Sequence, residues 1–171
     1  MPVIRVTYPE KALTDKQKEA LAPRLINAVM LQEVDPVTEM ARDATLIVFN
    51  ELPQKDCYMS KEPGWLVEAM AAAGFFNQKR RDAAHAAVNK AFVDVLGDDG
   101  SSIVLEDVRV SPKFLSRLWI LLIEIPEGSW GWAGRQTSAL EIGHIIGSDK
   151  DPDRWSELKV NIAELQASRP S

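Results

Sequence analysis

A proline in second place, directly ahead of a β-branched run, is the residue of this chain best suited to chemistry. Pro2 leads into Val3-Ile4-Arg5-Val6-Thr7-Tyr8. Proline cannot donate to a sheet ladder, so one reading makes Pro2 a plain strand start. The other reading requires loss of Met1, which a small second residue normally allows, and leaves Pro2 with a free secondary amine. A chain-terminal amine has an ordinary pKa of roughly 7.7–8.0, and an apolar pocket lowers it by disfavouring the cation. A base poised near neutral pH is suited to moving a proton to and from carbon.

Other side chains offer parts of a site. The segment Gly128-Ser129-Trp130-Gly131-Trp132-Ala133-Gly134-Arg135 is rich in glycine and aromatics and reads as a hairpin. Trp130 and Trp132 present flat apolar surface, to a substrate or to a neighbouring subunit. Developing enolate charge needs a donor, and Lys11 and Arg135 are the cations available; the alternative for Arg135 is an exposed strand-end arginine. Lys79-Arg80-Arg81 opens a helix, where cations oppose the dipole, and reads as a solvated cluster before an anion site. His85 among alanines reads as a packing residue, and His144 between Gly143 and Ile145 has no evident acidic partner. Nothing near Cys57 lowers a thiol pKa. One cysteine and two distant histidines do not make a metal site, so neither metal nor cofactor is expected.

The elements that must position these residues follow from periodicity. Val3, Ile4, Val6 and Tyr8 mark a strand. Thr14-Asp15-Lys16-Gln17 has the form of a capping box, and Leu21, Leu25, Ala28 and Val29 fall on one face of the helix it starts. Pro23 should kink or divide that helix. Ala44 to Leu52 is a near-continuous apolar run, as expected of a strand buried on both faces in a parallel sheet. The order then repeats: Trp65 to Met70 as strand, Asn77 as cap of a helix carrying Ala84, Val88, Ala91, Phe92 and Val95, Gly97 as its stop, and Leu118 to Ile125 as strand. The caps superimpose at an offset of 77 − 14 = 63 residues, which sets Trp65 opposite Pro2. The second copy is ten residues longer, with the surplus in Asp98 to Ser116. Leu140 to Ile146 reads as a further short strand. Asp151-Pro152 starts a last helix with Trp155, Leu158, Ile162 and Leu165 on one face.

Composition narrows the class. The 171 residues are 46 % hydrophobic and 26 % charged with net charge −5, ordinary for a globular protein of one domain. An acidic chain without a basic stripe is a poor nucleic-acid binder, and no apolar run is long enough for a membrane span. The lone cysteine and the lack of a signal peptide point to the cytoplasm.

Three features together resemble the tautomerase superfamily, typified by 4-oxalocrotonate tautomerase. They are the Met-Pro-Val-Ile start, the two β-α-β copies, and Glu124-Ile125-Pro126-Glu127-Gly128-Ser129-Trp130-Gly131-Trp132-Ala133-Gly134, similar to the family's strand-end and hairpin pattern. The resemblance covers roughly residues 2–135. It is to the long fused members, which include cis-3-chloroacrylic acid dehalogenase and malonate semialdehyde decarboxylase. It implies an α/β fold of two fused β-α-β units forming one four-stranded mixed sheet with two helices on one face, plus a C-terminal helix. The expected division is a domain over 1–147, with copies 2–62 and 65–135, and a helical tail over 148–171. By the resemblance Pro2 is catalytic, as general base and acid on a small enol or α-keto compound or as a nucleophile forming an iminium. Trp130 walls the substrate, and three subunits form a homotrimer. Independently of the resemblance, the outer edges of a four-stranded sheet need partners, with Trp132 and Ala139 to Ile146 as the expected subunit contacts. Departures are equally specific. Lys11-Ala12-Leu13 and Gly74-Phe75-Phe76 stand where relatives carry substrate-clamping arginines, Val29 replaces the dehalogenase's histidine, and Trp132 replaces its acidic residue. The alternatives are a non-catalytic trimeric binding or scaffold module, or a hydrolytic dehalogenase or decarboxylase relative.

Overall fold

The computed structural model describes residues 1–59 and 62–168. Residues 60–61 of the first expected copy and 169–171 of the expected tail lie outside the described residues.

Strict alternation decides the two central strands. In β1 (Val3–Pro9) Ile4, Val6 and Tyr8 are buried while Arg5 is exposed. In β3 (Trp65–Ala72) Trp65, Val67, Ala69 and Ala71 are buried at every second position. A period of two sends these side chains to one face, and the antiparallel register aligns them, with Ile4 opposite Ala69 and Val6 opposite Val67. β2 (Leu46–Leu52) runs parallel to β1, and β6 (Leu118–Ile125) parallel to β3, so the strand order is β2-β1-β3-β6. Each parallel pair needs a long crossover, and α1 (Asp15–Met30) and α3 (Gln78–Leu96) supply them. The result is two fused β-α-β units sharing one mixed sheet, with both long helices on the core face.

Both helices start where the sequence says they should. Thr14 and Gln17 satisfy one another's backbone N–H groups in a capping box, and the Asn77 side chain accepts from the Arg80 N–H. Leu21, Leu25 and Val29 of α1 and Ala84, Val88 and Phe92 of α3 are fully buried, each large side chain worth about 1.5–3 kcal/mol of transfer free energy. Pro23 does not divide α1, which runs unbroken from Asp15 to Met30. Its ring stands on the exposed side of the helix.

Four expectations need correcting. β2 is not buried on both faces: it is an edge strand with Leu46 56 % and Val48 40 % exposed, because helices cover only one side of the sheet. Trp119 and Leu121 of β6 are exposed on that same open side. Residues 140–146 are not a strand but part of α4 (Ala139–Ile146), started by a Ser138–Glu141 capping box and stopped by Gly147 at φ 92°. Helical period then sends Ala139, Ile142 and Ile146 into this chain's own core, leaving Leu140 as the exposed large hydrophobic side chain of that stretch. The polar stretch after α1 also contains a short helix the periodicity did not reveal, α2 (Glu39–Asp43), capped by Thr38. Finally, Arg80 and Arg81 are not a solvated cluster. Arg80 is paired with Glu157 at 2.6 Å and Arg81 with Glu124, while Lys79 is exposed.

The surplus of the second copy is a small exposed hairpin, β4 (Ile103–Leu105) with β5 (Val108–Val110). The Gly-Trp segment forms a second hairpin, β7 (Gly131–Trp132) with β8 (Arg135–Gln136). The last helix, α5 (Pro152–Ala167), begins at the Asp151 cap as expected and docks on this chain's own core through Leu158, which is fully buried. Leu165, on the same face, is 40 % exposed. Among the described residues no helix is long and apolar enough to cross a membrane.

Candidate active site at the amino terminus

Pairing of the first two strands begins one residue early: the Leu46 N–H donates to the Pro2 carbonyl at 3.3 Å. This ties Pro2 to the starting ends of two parallel strands, where its ring is buried. Met1 ahead of it is 2 % exposed and belongs to the core, and its ammonium donates to Glu33 Oε2. Glu33 is itself fully buried, and its other carboxylate oxygen, Oε1, has no hydrogen-bond partner. A buried charge is costly unless an opposite charge meets it, so the terminus and Glu33 hold one another in place.

Glu33 was not among the residues singled out from the sequence, although a signal exists. It continues the buried stripe Leu21, Leu25, Val29 at a further step of four, and a carboxylate in an apolar stripe asks for a partner. Its backbone is fixed by the end of the chain. Ser148 Oγ donates to the Glu33 carbonyl at 2.8 Å, and Arg154 Nε donates to the same oxygen at 3.2 Å. Arg154, 4 % exposed, also donates from Nη2 to the carbonyls of Gln32 and Phe75 at 3.0 and 2.7 Å. Burial pushes the Arg154 pKa down, the neighbouring Arg80 adds to this, and Glu157 and Glu33 oppose it. Glu157 bridges the two arginines, and its hydrogen bonds from Arg80 hold its carboxyl below the usual carboxylate range against the opposing effect of burial.

Beside Pro2 opens a cavity of about 370 Å³. Met1, Pro2 and Val3 form one wall, the chain from Asp43 to Leu46 a second, and Trp130, Gly131 and Trp132 a third. The Trp130 carbonyl accepts the Thr137 N–H at 3.0 Å, which anchors the β7–β8 hairpin over the opening. The structure therefore brings together Pro2 and Trp130 out of the four expected site residues. Lys11 sits in a turn at φ 63° beyond the far end of β1, separated from Pro2 by a strand of about 20 Å or more at some 3.3 Å per residue. Arg135 is 58 % exposed, pairs with Glu141 at 2.8 Å, and lines a different cavity with Leu140, His144 and Trp155. Among the described residues lining the Pro2 cavity there is no lysine or arginine.

The other candidates have structural partners. His144 Nδ1 meets Asp149 Oδ2 at 2.6 Å, a partner five residues on that the sequence did not advertise. His85 is half-buried, and the Cys57 thiol donates to the Gly64 carbonyl. Trp65, the counterpart of Pro2 in the second copy, is a core residue stacked on Tyr8 at 6.0 Å and edge-on to Phe92 at 5.8 Å. Tyr8 donates to Glu51 at 3.0 Å, and burial raises its phenol above 10.0, partly offset by Lys18.

The fold has counterparts among solved structures. A native fused 4-OT is 18 % identical with TM-score 0.60, and a fused 4-OT described as a symmetric trimer is 22 % identical with TM-score 0.59; each match covers 82 % of this chain and 98 % of the other. The chain has the tautomerase-superfamily fold. Toxoplasma gondii macrophage migration inhibitory factor matches as well, at 14 % identity and TM-score 0.57 over 79 % of this chain and 99 % of that one. A further neighbour with this fold, Pt0534, 20 % identical at TM-score 0.59 over 82 % of this chain and 98 % of the other, is a structure inactivated by 2-oxo-3-pentynoate. No protein-family model matches the sequence, and neither does any curated protein. These neighbours are covered almost end to end, whereas about a fifth of this chain lies outside the matches.

Proposed function

We propose that this protein is a tautomerase-type enzyme in which Pro2, freed by removal of Met1, serves as general base and then acid on a small enol or α-keto compound. One observation carries the reading: the chain start is folded into the core at the edge of a cavity walled by Trp130. Removing Met1 vacates buried space at the Pro2 nitrogen and enlarges that cavity where a substrate carbon has to sit. The Pro2 amine then takes a proton from one atom of the substrate and returns it to another. With no cation lining the cavity, a substrate carboxylate draws its counter-charge from outside this chain's own cavity wall. The open face of the sheet, with Leu46, Val48, Trp119 and Leu121 exposed around the Arg5–Glu68 pair, supports a homotrimer like that of the fused 4-OT neighbour. The substrate is a small molecule, no nucleic acid or membrane takes part, and the site of action is the cytoplasm.

The test compares enol-to-keto conversion by the processed protein and by a form that keeps Met1. Acylation turns the Pro2 nitrogen into an amide, so the Met1 form should be slower by on the order of 10²- to 10⁴-fold. Equal rates would reduce Pro2 to a strand start. A second probe is 2-oxo-3-pentynoate, which should label the processed chain at Pro2 and leave the Met1 form unlabelled.

A second reading is favoured by one feature: Met1 is itself well buried and paired. A chain that keeps it would be a non-catalytic trimeric binding or scaffold module. Intact mass of the protein made in cells separates the two readings.

A further inference from the structure

We propose that Glu33 is the positioning residue of the terminal nitrogen: once Met1 is gone its carboxylate takes the Pro2 ammonium, and the C-terminal segment holds it there through Ser148 and Arg154. The inference rests on the amine reading of Pro2. In the chain with Met1 present, the terminal ammonium donates to Glu33 Oε2. Backbone bond lengths put the Pro2 nitrogen no more than about 3.7 Å from the Met1 nitrogen. Loss of Met1 empties the space between them, so a small shift sets the secondary amine on the same carboxylate. A prolyl ammonium carries two N–H donors. Glu33 offers Oε2, and its buried Oε1 stands without a partner, ready for the second.

Nothing else around Glu33 is placed to do this. Among the described residues it is the one fully buried carboxylate. Arg154 from α5 bonds the Glu33 carbonyl rather than its carboxylate, and its Nη1 makes no hydrogen bond. Behind Arg154 stand Glu157 of α5 and Arg80 of α3, and Asp43 of α2 is exposed at the cavity wall. Burial at the chain start favours the neutral amine, whereas an opposite charge within about 4–6 Å favours the cation. Glu33 thus stabilises the ammonium formed when Pro2 accepts a substrate proton and positions that nitrogen while the proton moves from carbon to nitrogen and back. Residues 148–157, beyond the stretch the two copies occupy, become part of the proton-transfer apparatus without touching substrate.

The experiment reads charge rather than turnover. Processed protein carrying ¹⁵N-proline and ¹³C-carboxyl glutamate is titrated by NMR. The Pro2 nitrogen step should be accompanied by a response of the Glu33 carboxyl at the same pH; the absence of that response in the unmutated protein overturns the proposal. Glu33→Gln should lower the Pro2 midpoint by about one pH unit or more, and Glu33→Asp, which withdraws the carboxylate by one carbon, should lower it by less. An unchanged midpoint in either folded variant also overturns it. The low-pH limb of the rate profile should move with the Pro2 midpoint. Coupled titration in a processed protein with no enol-to-keto activity would defeat the tautomerase reading and leave the role of Glu33 standing. Activity with uncoupled titration would do the reverse.

Discussion

Replacing Gly143 by alanine sets two known effects against each other at the seat of α5. In a helix interior, alanine is favoured over glycine by about 1 kcal/mol, and on that ground alone Gly143→Ala stabilises α4. The surroundings oppose it. A Cβ at position 143 would lie 2.8 Å from Trp155 Cζ3 and 3.0 Å from Leu158 Cδ2, where carbon atoms prefer about 3.5–4.0 Å. The indole ring cannot bend aside and Leu158 is fully buried, so α5 itself has to move outwards. Overpacking of this kind typically costs about 1–3 kcal/mol. Subtracting the helical gain leaves a net loss of roughly 1 kcal/mol. Urea unfolding at pH 7 measures it as a lower midpoint at unchanged slope. Pairing Gly143→Ala with Trp155→Leu should recover part of the loss, because the rigid ring is the nearer obstacle. A single variant more stable than the parent would refute the close approach of α4 and α5. If α5 backs away as argued, the Arg154 contact to the Glu33 carbonyl lengthens too, and the Pro2 titration midpoint should respond.

Two further outcomes are open to measurement. Leu121→Lys adds a charge on the open face at the edge strand β6, beside Glu68 of β3, and should convert the proposed trimer to monomers in light scattering while leaving the chain folded; an intact trimer would show that this part of the face is not the interface. The Glu157 carboxyl titrates below its usual range because of Arg80. A depressed folded-state pKa means that its stabilisation is complete above the ordinary value of about 4.3 and is lost as pH falls below it. Between pH 6 and pH 3 the parent should therefore lose more of its urea midpoint than Glu157→Gln does, and parallel losses would contradict the pairing.

The parts of the fold that obey a local rule were readable before any coordinates. Thr14 and Asn77 sit at caps because their side chains bond backbone N–H groups within the same turn. The alternation in β1 and β3 is likewise written in neighbouring residues. The failures have a common cause in distance along the chain. Ala44 to Leu52 looked doubly buried because its apolar run records both a covered face and an open one that a single chain leaves bare. Leu140 to Ile146 is apolar enough for a strand, and only the Ser138–Glu141 box and Gly147 mark it as helical. At the site, Pro2 and Trp130, which the structure brings to one cavity, were flagged because their types are unusual for their places. Glu33 was not, since its meaning depends on the chain start 32 positions before it and on Arg154 121 positions after it. The reach of Lys11 and Arg135 was misjudged for the same reason: sequence offers cations, and only the strand length and the Glu141 pairing say where they are.

The clasp between Glu33 and Arg154 also gives the protein a clock. The residues that fasten the backbone of Glu33 are made long after it. At about 5–20 residues per second of synthesis, the 121 positions separating the partners take roughly 6–24 s to emerge. Throughout that interval the Glu33 carbonyl is without the arginine and serine that bond it. In the folded chain Met1 is 2 % exposed, so an aminopeptidase should remove it faster from an unfolded chain than from the folded protein, and equal rates would show that this burial offers no protection.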